Sequence, residues 1–259
     1  MATTVATVTA VTLATLMAAF FIIPLFALIW RAITLAGDTA TANLSIGTAV
    51  LLSLGTTAVT VLLIILLGTP LAYYMARHQF PTKRLLSIFI EMPVVMPPVV
   101  AGLALLSTFG RRGLIGQLLA TANITIPFTV TAVILAQLFV SAPFYIRAAQ
   151  SRFATLPKAY EEAAAVDGAS QWRIFWQVIL PQSSRALLNG LILSWARALG
   201  EFGATILFAG NLQGRTQTMP LLVYGALEQN LRATFTTALI LLGLAAIAFA
   251  LTRHLADTS

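Results

Sequence analysis

The chain has 259 residues, 59% of them hydrophobic and 9% charged, with a net charge of +7. A soluble surface needs about a quarter of its residues charged, so lipid must be the solvent for much of this chain. There is no cysteine, which excludes a disulfide framework and a thiolate metal site. The basic residues gather at the ends of apolar runs, as membrane orientation requires, and this argues against nucleic acid as a partner.

Six apolar runs are read, at 7–30, 48–75, 86–109, 128–148, 185–209 and 233–252. At about 20 residues per span these predict six transmembrane helices in one unit, 1–259, because a backbone in lipid must satisfy its own hydrogen bonds. The fold class expected is all-α. The first run has no Lys or Arg before it, is too long for a signal-peptide core, and is read as a retained span. The third run carries Glu91 near its inner end, where an inner-face arginine could bind it, and is interrupted by Pro93, Pro97 and Pro98. Proline frees carbonyls, which in a membrane is tolerated where they face protein or a watery cavity. A pathway-lining kink and a packing kink both fit.

Between the fourth and fifth runs lies a polar loop, 155–181, that reads as two short helices. Thr155 is expected to cap the first, with Pro157 in its opening turn and Glu161 and Glu162 early, where the helix dipole favours anions. Gly168 can end it in a left-handed conformation, Ser170 can cap the second helix, and Pro181 is expected to mark that helix's end. Trp172, Phe175, Trp176 and Ile179 form one apolar face at 3–4 spacing, suited to the membrane surface or the bundle. Ala163, Ala164 and Ala165 leave the first helix slim enough to enter a groove on a partner.

The fifth run holds Arg197 and Glu201, four apart on one expected helix face, with Ser194 and Thr205 on the same stripe. Each charge alone costs roughly 2.5–3.5 kcal/mol at the bilayer centre, so pairing is expected. The stripe reads either as a pathway or gate lining or as a structural pair. The histidines, His78 and His254, lie apart beside basic residues, and no metal site is expected of them.

Nine basic residues fall on one set of connections, Arg77, Lys83, Arg84, Arg147, Arg152, Lys158, Arg173, Arg185 and Arg253. Five fall on the other, Arg31, Arg111, Arg112, Arg215 and Arg232. The richer set, and with it both termini, is expected in the cytoplasm. No internal repeat is evident, so two-fold symmetry would need a second subunit.

The letters of the loop add a resemblance. Glu162-Ala163-Ala164, then Gly168, then Val178-Ile179-Leu180-Pro181 resembles the EAA loop of ABC-importer permeases, with Val178 in place of isoleucine. Pro97-Pro-Val-Val-Ala-Gly102, Arg197-Ala-Leu-Gly-Glu-Phe-Gly-Ala-Thr205 and Gly214-Arg-Thr-Gln-Thr-Met-Pro220 look like the molybdate permease branch, which includes tungstate and sulfate relatives. The resemblance covers about residues 48–252. It implies a coupling helix that sits in a cleft of a cytoplasmic ATPase, with Glu161, Glu162, Ala163, Ala164, Asp167 and Gly168 as coupling positions. It also implies a homodimer in the cell membrane, two separate ATPase subunits, an external substrate-binding protein, and no cofactor. Ser194, Arg197, Glu201, Thr205, Pro97 and Pro98 are the pathway or gate candidates. The phosphate-binding motif G-x-x-x-x-G-K-[ST] is absent, so ATP hydrolysis is expected of the other subunits. The implied cargo is a tetrahedral oxyanion, molybdate or tungstate, with a sulfate permease as the alternative. A secondary transporter or channel would need no coupling loop.

Overall fold

The structure is a computed structural model that describes residues 2–35 and 45–258, with side chains described except at 2–5, 8, 248 and 251–258. His254 and Arg253 fall outside the described side chains. Among the described residues every regular element is helical. Helix α1, Ala2–Leu35, leads to α2, Ile46–Leu63, which runs through a π-helical segment, Ile64–Gly68, into α3, Thr69–Arg77. Then come α4, Lys83–Val95, α5, Pro98–Phe109, α6, Gly116–Thr121, and α7, Val130–Thr155. The loop holds α8, Ala159–Val166, and α9, Gln171–Ile174. A second π segment, Phe175–Ile179, leads into α10, Leu180–Leu199. The chain ends with α11, Gly203–Phe208, α12, Met219–Gln229, and α13, Leu231–Thr258.

Among the described residues three helical stretches are long and apolar enough to cross a membrane, Thr9–Leu35, Ile46–Arg77 and Val130–Thr155, and Pro98–Phe109 and Leu231–Ile247 are shorter apolar helices. The expected third and fifth spans are not continuous. Residues 86–109 break at Met96-Pro97, and residues 185–209 break after Leu199. The first break follows from proline chemistry: Met96 sits before a proline and turns extended, with φ −68° and ψ 136°. The second falls at Gly200, a poor helix former, which ends α10.

Helix α7 is the centre of the bundle and packs against α2, α3, α4 and α10. Its seams are polar. Thr60 Oγ1 donates to Gln137 Oε1 at 3.1 Å, and Gln137 Nε2 donates to Thr56 Oγ1 at 3.2 Å. Thr69 and Tyr145 share a 2.6 Å hydroxyl bond, and Ser194 donates to the Ser141 carbonyl. In lipid there is no hydrophobic drive between helices, so close packing and bonds of this kind hold them together. One apolar cluster fills the end of the bundle next to the loop: Ile64, Ala72, Tyr145, Phe153, Ile174 and Ile179 are among its buried members. Both π segments supply side chains to it, Ile64 from the first and Ile179 from the second. Helix α1 packs chiefly on α13 and leaves its apolar side chains exposed, as a lipid-facing helix does.

Two expectations for the loop are corrected. Thr155 does not cap the first loop helix. It is the last residue of α7, its hydroxyl donates back to the Arg152 carbonyl, and α8 opens at Ala159 behind Lys158. Leu156 precedes Pro157 and is therefore driven extended, which moves the helix start downstream. Pro181 does not end the second helix either, because α9, the π segment and α10 form one helical rod through it. The π turn just before Pro181 uses longer-range bonds, such as Leu180 N–H to the Phe175 carbonyl, and so moves away the carbonyl that the proline ring would strike.

Candidate functional site: a helix junction and an exposed loop helix

The two helix breaks meet each other. Helix α11 lies on α5, and a Cβ built on Gly203 would stand 2.5 Å from Pro98 Cβ. Gly102, one turn along α5, is as tightly held: a Cβ there would be 2.9 Å from Leu207 Cβ. The structure thus brings Pro97 and Pro98 to the segment that follows Glu201, a contact between residues about a hundred apart in the chain.

Glu201 lies in the break and not on a continuous helix with Arg197, yet the expected pair forms. Arg197 Nη1 is 2.7 Å from Glu201 Oε2, close enough for an ion pair although not well directed for a hydrogen bond. The other carboxylate oxygen accepts the Ala204 N–H at 2.7 Å and so caps α11. One side chain neutralises a charge and satisfies a free helix donor at once. Glu201 is 1% exposed, whereas the Arg197 side chain keeps 30% exposure. Ser194 and Thr205 are fully buried, and the Thr205 hydroxyl makes no bond to another protein group. Of the expected polar stripe, only Arg197 therefore reaches the protomer surface.

The exposed face of α10 is a different one, carrying Gln182, Arg185, Asn189, Leu193, Ala196 and Gly200. Its loop end opens into a cleft of about 540 Å³ lined by Arg152, Arg185, Ser184 and Asn189 among others. Sequence reasoning missed this face because the charged pair drew attention to the stripe beside it, although the 3–4 spacing of its polar residues was available. Another charge pair, this one exposed, Glu91 with Arg147 at 3.0 Å, joins α4 to α7, as the position of Glu91 allowed.

The loop helix α8 divides its adjacent glutamates. Glu162, Ala163, Asp167 and Gly168 are exposed, and Ala164 is tucked against the apolar cluster. Gly168 has φ +82°, the left-handed turn its sequence position predicted, and its N–H bonds the Ala165 carbonyl. Ser170 caps α9 as expected, accepting the Arg173 N–H at 3.4 Å. Glu161 turns inward to pair with Arg77 at the end of α3. Arg77 was read from sequence only as a topogenic charge, and no local pattern could have revealed a partner 84 residues away. The expected aromatic face splits: Phe175 and Ile179 enter the core, while Trp172 and Trp176 stack edge-on at 5.5 Å and stay exposed. Amphipathic indole rings of this kind suit a membrane interface.

Residues 68–258 match the family described as binding-protein-dependent transport system inner membrane component. The chain is 42% identical over 207 residues to a molybdenum transport system permease protein of Mycobacterium tuberculosis, covering 77% of this chain and 78% of that one. It is also 42% identical over 178 residues to a sulfate transport system permease protein of Synechococcus elongatus, covering 69% and 62%. Among solved structures, a bacterial alginate ABC transporter in complex with its pentasaccharide-bound periplasmic protein aligns with a TM-score of 0.74 at 15% identity, over 95% of this chain and 92% of that one. The inward-facing MetNI methionine ABC transporter aligns with a TM-score of 0.63 at 19% identity, over 81% and 94%.

Proposed function

Because the chain belongs to the inner-membrane components of binding-protein-dependent transport systems, and so is a multi-pass permease subunit of an ABC importer, we propose that it forms the translocation path for a tetrahedral oxyanion, molybdate or tungstate. The observation that carries this reading is α8: a slim, exposed helix closed by a left-handed glycine and bearing the Glu162-Ala163-Ala164 motif. Identity of 42% to a permease named for molybdenum transport supports the cargo. Two copies of the chain assemble around a central path, since one chain has no internal repeat, and the exposed polar face of α10 with Gln182, Arg185 and Asn189 supplies part of the wall. In this arrangement the Glu91–Arg147 pair faces water or the second copy, because exposed charges against lipid are costly. Two cytoplasmic ATPase subunits grip α8 through Glu162, Ala163, Asp167 and Gly168, and an external binding protein delivers the anion. Both termini lie in the cytoplasm. The permease itself has no catalytic role.

Sulfate is the second reading, favoured by the 42% identity to a sulfate permease. Co-reconstitution with the ATPase and binding protein into vesicles, followed by uptake of labelled molybdate, tungstate and sulfate, decides between them. Saturable molybdate uptake that excess sulfate fails to inhibit is the expected result. Uptake of sulfate in preference would overturn the cargo.

A further inference from the structure

Glu161 and Glu162 are neighbours with opposite fates, and the partly buried one, Glu161, has built surroundings. The Arg77 guanidinium pairs with the Glu161 carboxylate through one terminal nitrogen and donates to the Leu156 carbonyl at 3.3 Å through the other. The Tyr73 hydroxyl donates to the second Glu161 oxygen at 3.5 Å. Side-chain exposure is 9% for Arg77 and 19% for Glu161, so the pair is shielded from the screening that weakens surface ion pairs. Tyr73 also meets Phe153 of α7 edge-on at 5.6 Å and Phe175 of the π segment at 5.2 Å. One tyrosine–arginine unit at the end of the α2–α3 span thus holds three things: the end of α7, the loop helix α8, and the turn that leads into α10.

We infer that Arg77, with Tyr73, is a positioning residue that locks α8 to the α2–α3 span through Glu161, so that a displacement of α8 is delivered into that span as a rigid-body motion. This rests on the assignment of α8 as the ATPase-gripping helix. Chain connectivity alone would join α8 only to α7, through Leu156-Pro157, and to α9, through Gly168-Ala169. Both are turns, and turns absorb motion. The partly buried pair bypasses them, and Glu161 serves the permease from within while Glu162 is left for the partner. Coupling of this kind needs a physical element that two sites both bias, and the α8–Arg77–α3 unit supplies one.

The test has two arms on the full chain, which has no native cysteine. In the first, a spin label on a cysteine at the 88% exposed position Val166 reports the mobility of α8 in the reconstituted permease. Arg77→Gln and Glu161→Gln should each mobilise the label, and the exchange Arg77→Glu with Glu161→Arg should immobilise it again. Unchanged mobility in the single variants overturns the lock. In the second, the complex with ATPase and binding protein is assayed for uptake and for stimulated ATP hydrolysis. The single variants should assemble and hydrolyse ATP, yet import about fivefold less substrate per ATP, at the lower end of usual coupling energies, with recovery in the exchange. A mobilised label with unchanged uptake per ATP overturns the positioning role. Loss of ATPase binding in Glu161→Gln but not in Arg77→Gln does so as well, since Glu161 would then be a direct contact. If the parent complex imports nothing, the functional assignment fails, while the label still decides the lock.

Discussion

Gly203 and Pro98 stand so close that the smallest side chain at Gly203 would collide with the proline ring, its Cβ falling 2.5 Å from Pro98 Cβ. Two interrupted helices, α5 and α11, are therefore fitted to each other at their interruptions. Overpacking of this sort costs typically 1–3 kcal/mol, so Gly203→Ala should lower the melting temperature of the purified permease. Pro98→Gly combined with Gly203→Ala should regain part of that loss, because the colliding Cβ is gone. Thermal unfolding in one detergent compares them, and an unshifted Gly203→Ala would refute the close fit.

The Arg197–Glu201 pair should respond unequally to deletion of its members. Arg197→Met strands a carboxylate that is 1% exposed, whereas Glu201→Gln leaves an arginine with 30% exposure and still offers an amide oxygen to the Ala204 N–H. Removing one partner of a buried pair costs about 3–5 kcal/mol, and Arg197→Met should approach that range while Glu201→Gln falls below it. The double variant should be milder than Arg197→Met alone. Yield and thermal midpoint measure this. Equal losses in the two single variants would argue against the asymmetry.

Gly168→Leu should act through the backbone. Nothing lies within 4 Å of a Cβ built there, but the φ of +82° resists any L side chain, at a cost of about 1–2 kcal/mol. The bundle should fold normally while binding-protein-stimulated ATPase activity falls, and Gly168→Asn, more tolerant of this region, should lose less. Parent-like stimulation in Gly168→Leu would remove the turn from coupling.

Gln137→Leu should remove two bonds between α7 and α2 at modest cost. Thr56 already donates to its own helix at the Leu52 carbonyl, so it is not stranded, and the buried Thr60 hydroxyl, which loses its acceptor, can turn to a carbonyl of its own helix as Thr56 and Thr57 do. Interhelical polar bonds in membranes average about 0.6 kcal/mol with a maximum near 1.7, and the loss should lie in that span. Equilibrium unfolding in mixed micelles tests it.

Orientation is open to cysteine chemistry. A membrane-impermeant maleimide should reach a cysteine at Val166 only from the cytoplasmic side and one at Leu114, in the α5–α6 connection, only from outside. Reversed labelling would reverse the topology.

Composition and periodicity were enough to reveal the all-helical membrane class, because the bilayer imposes one rule on the whole backbone. The loop was legible for a local reason: Gly168, Ser170 and the acidic first turn of α8 act on neighbours within a few residues. Where one local signal competed with another, it misled. Thr155 looks like the start of one loop helix and Pro181 like the end of the other, yet the first ends α7 and the second lies within a rod that a π turn makes possible.

The sequence by itself determined that this chain lives in lipid, which residues can break its helices, and which family its motifs fit. Only the tertiary structure decided who meets whom. Glu161 and Glu162 have the same chemistry and adjacent places, and nothing local says that the first finds Arg77 while the second stays exposed. Ser194 and Thr205 share a stripe with Arg197, and only the packing of α10 on α7 and of α11 on α5 and α7 makes them interior. The partner of each such group is set by helices brought together from distant parts of the chain, and in lipid that assembly rests on shape and interhelical bonds that a one-dimensional pattern does not contain.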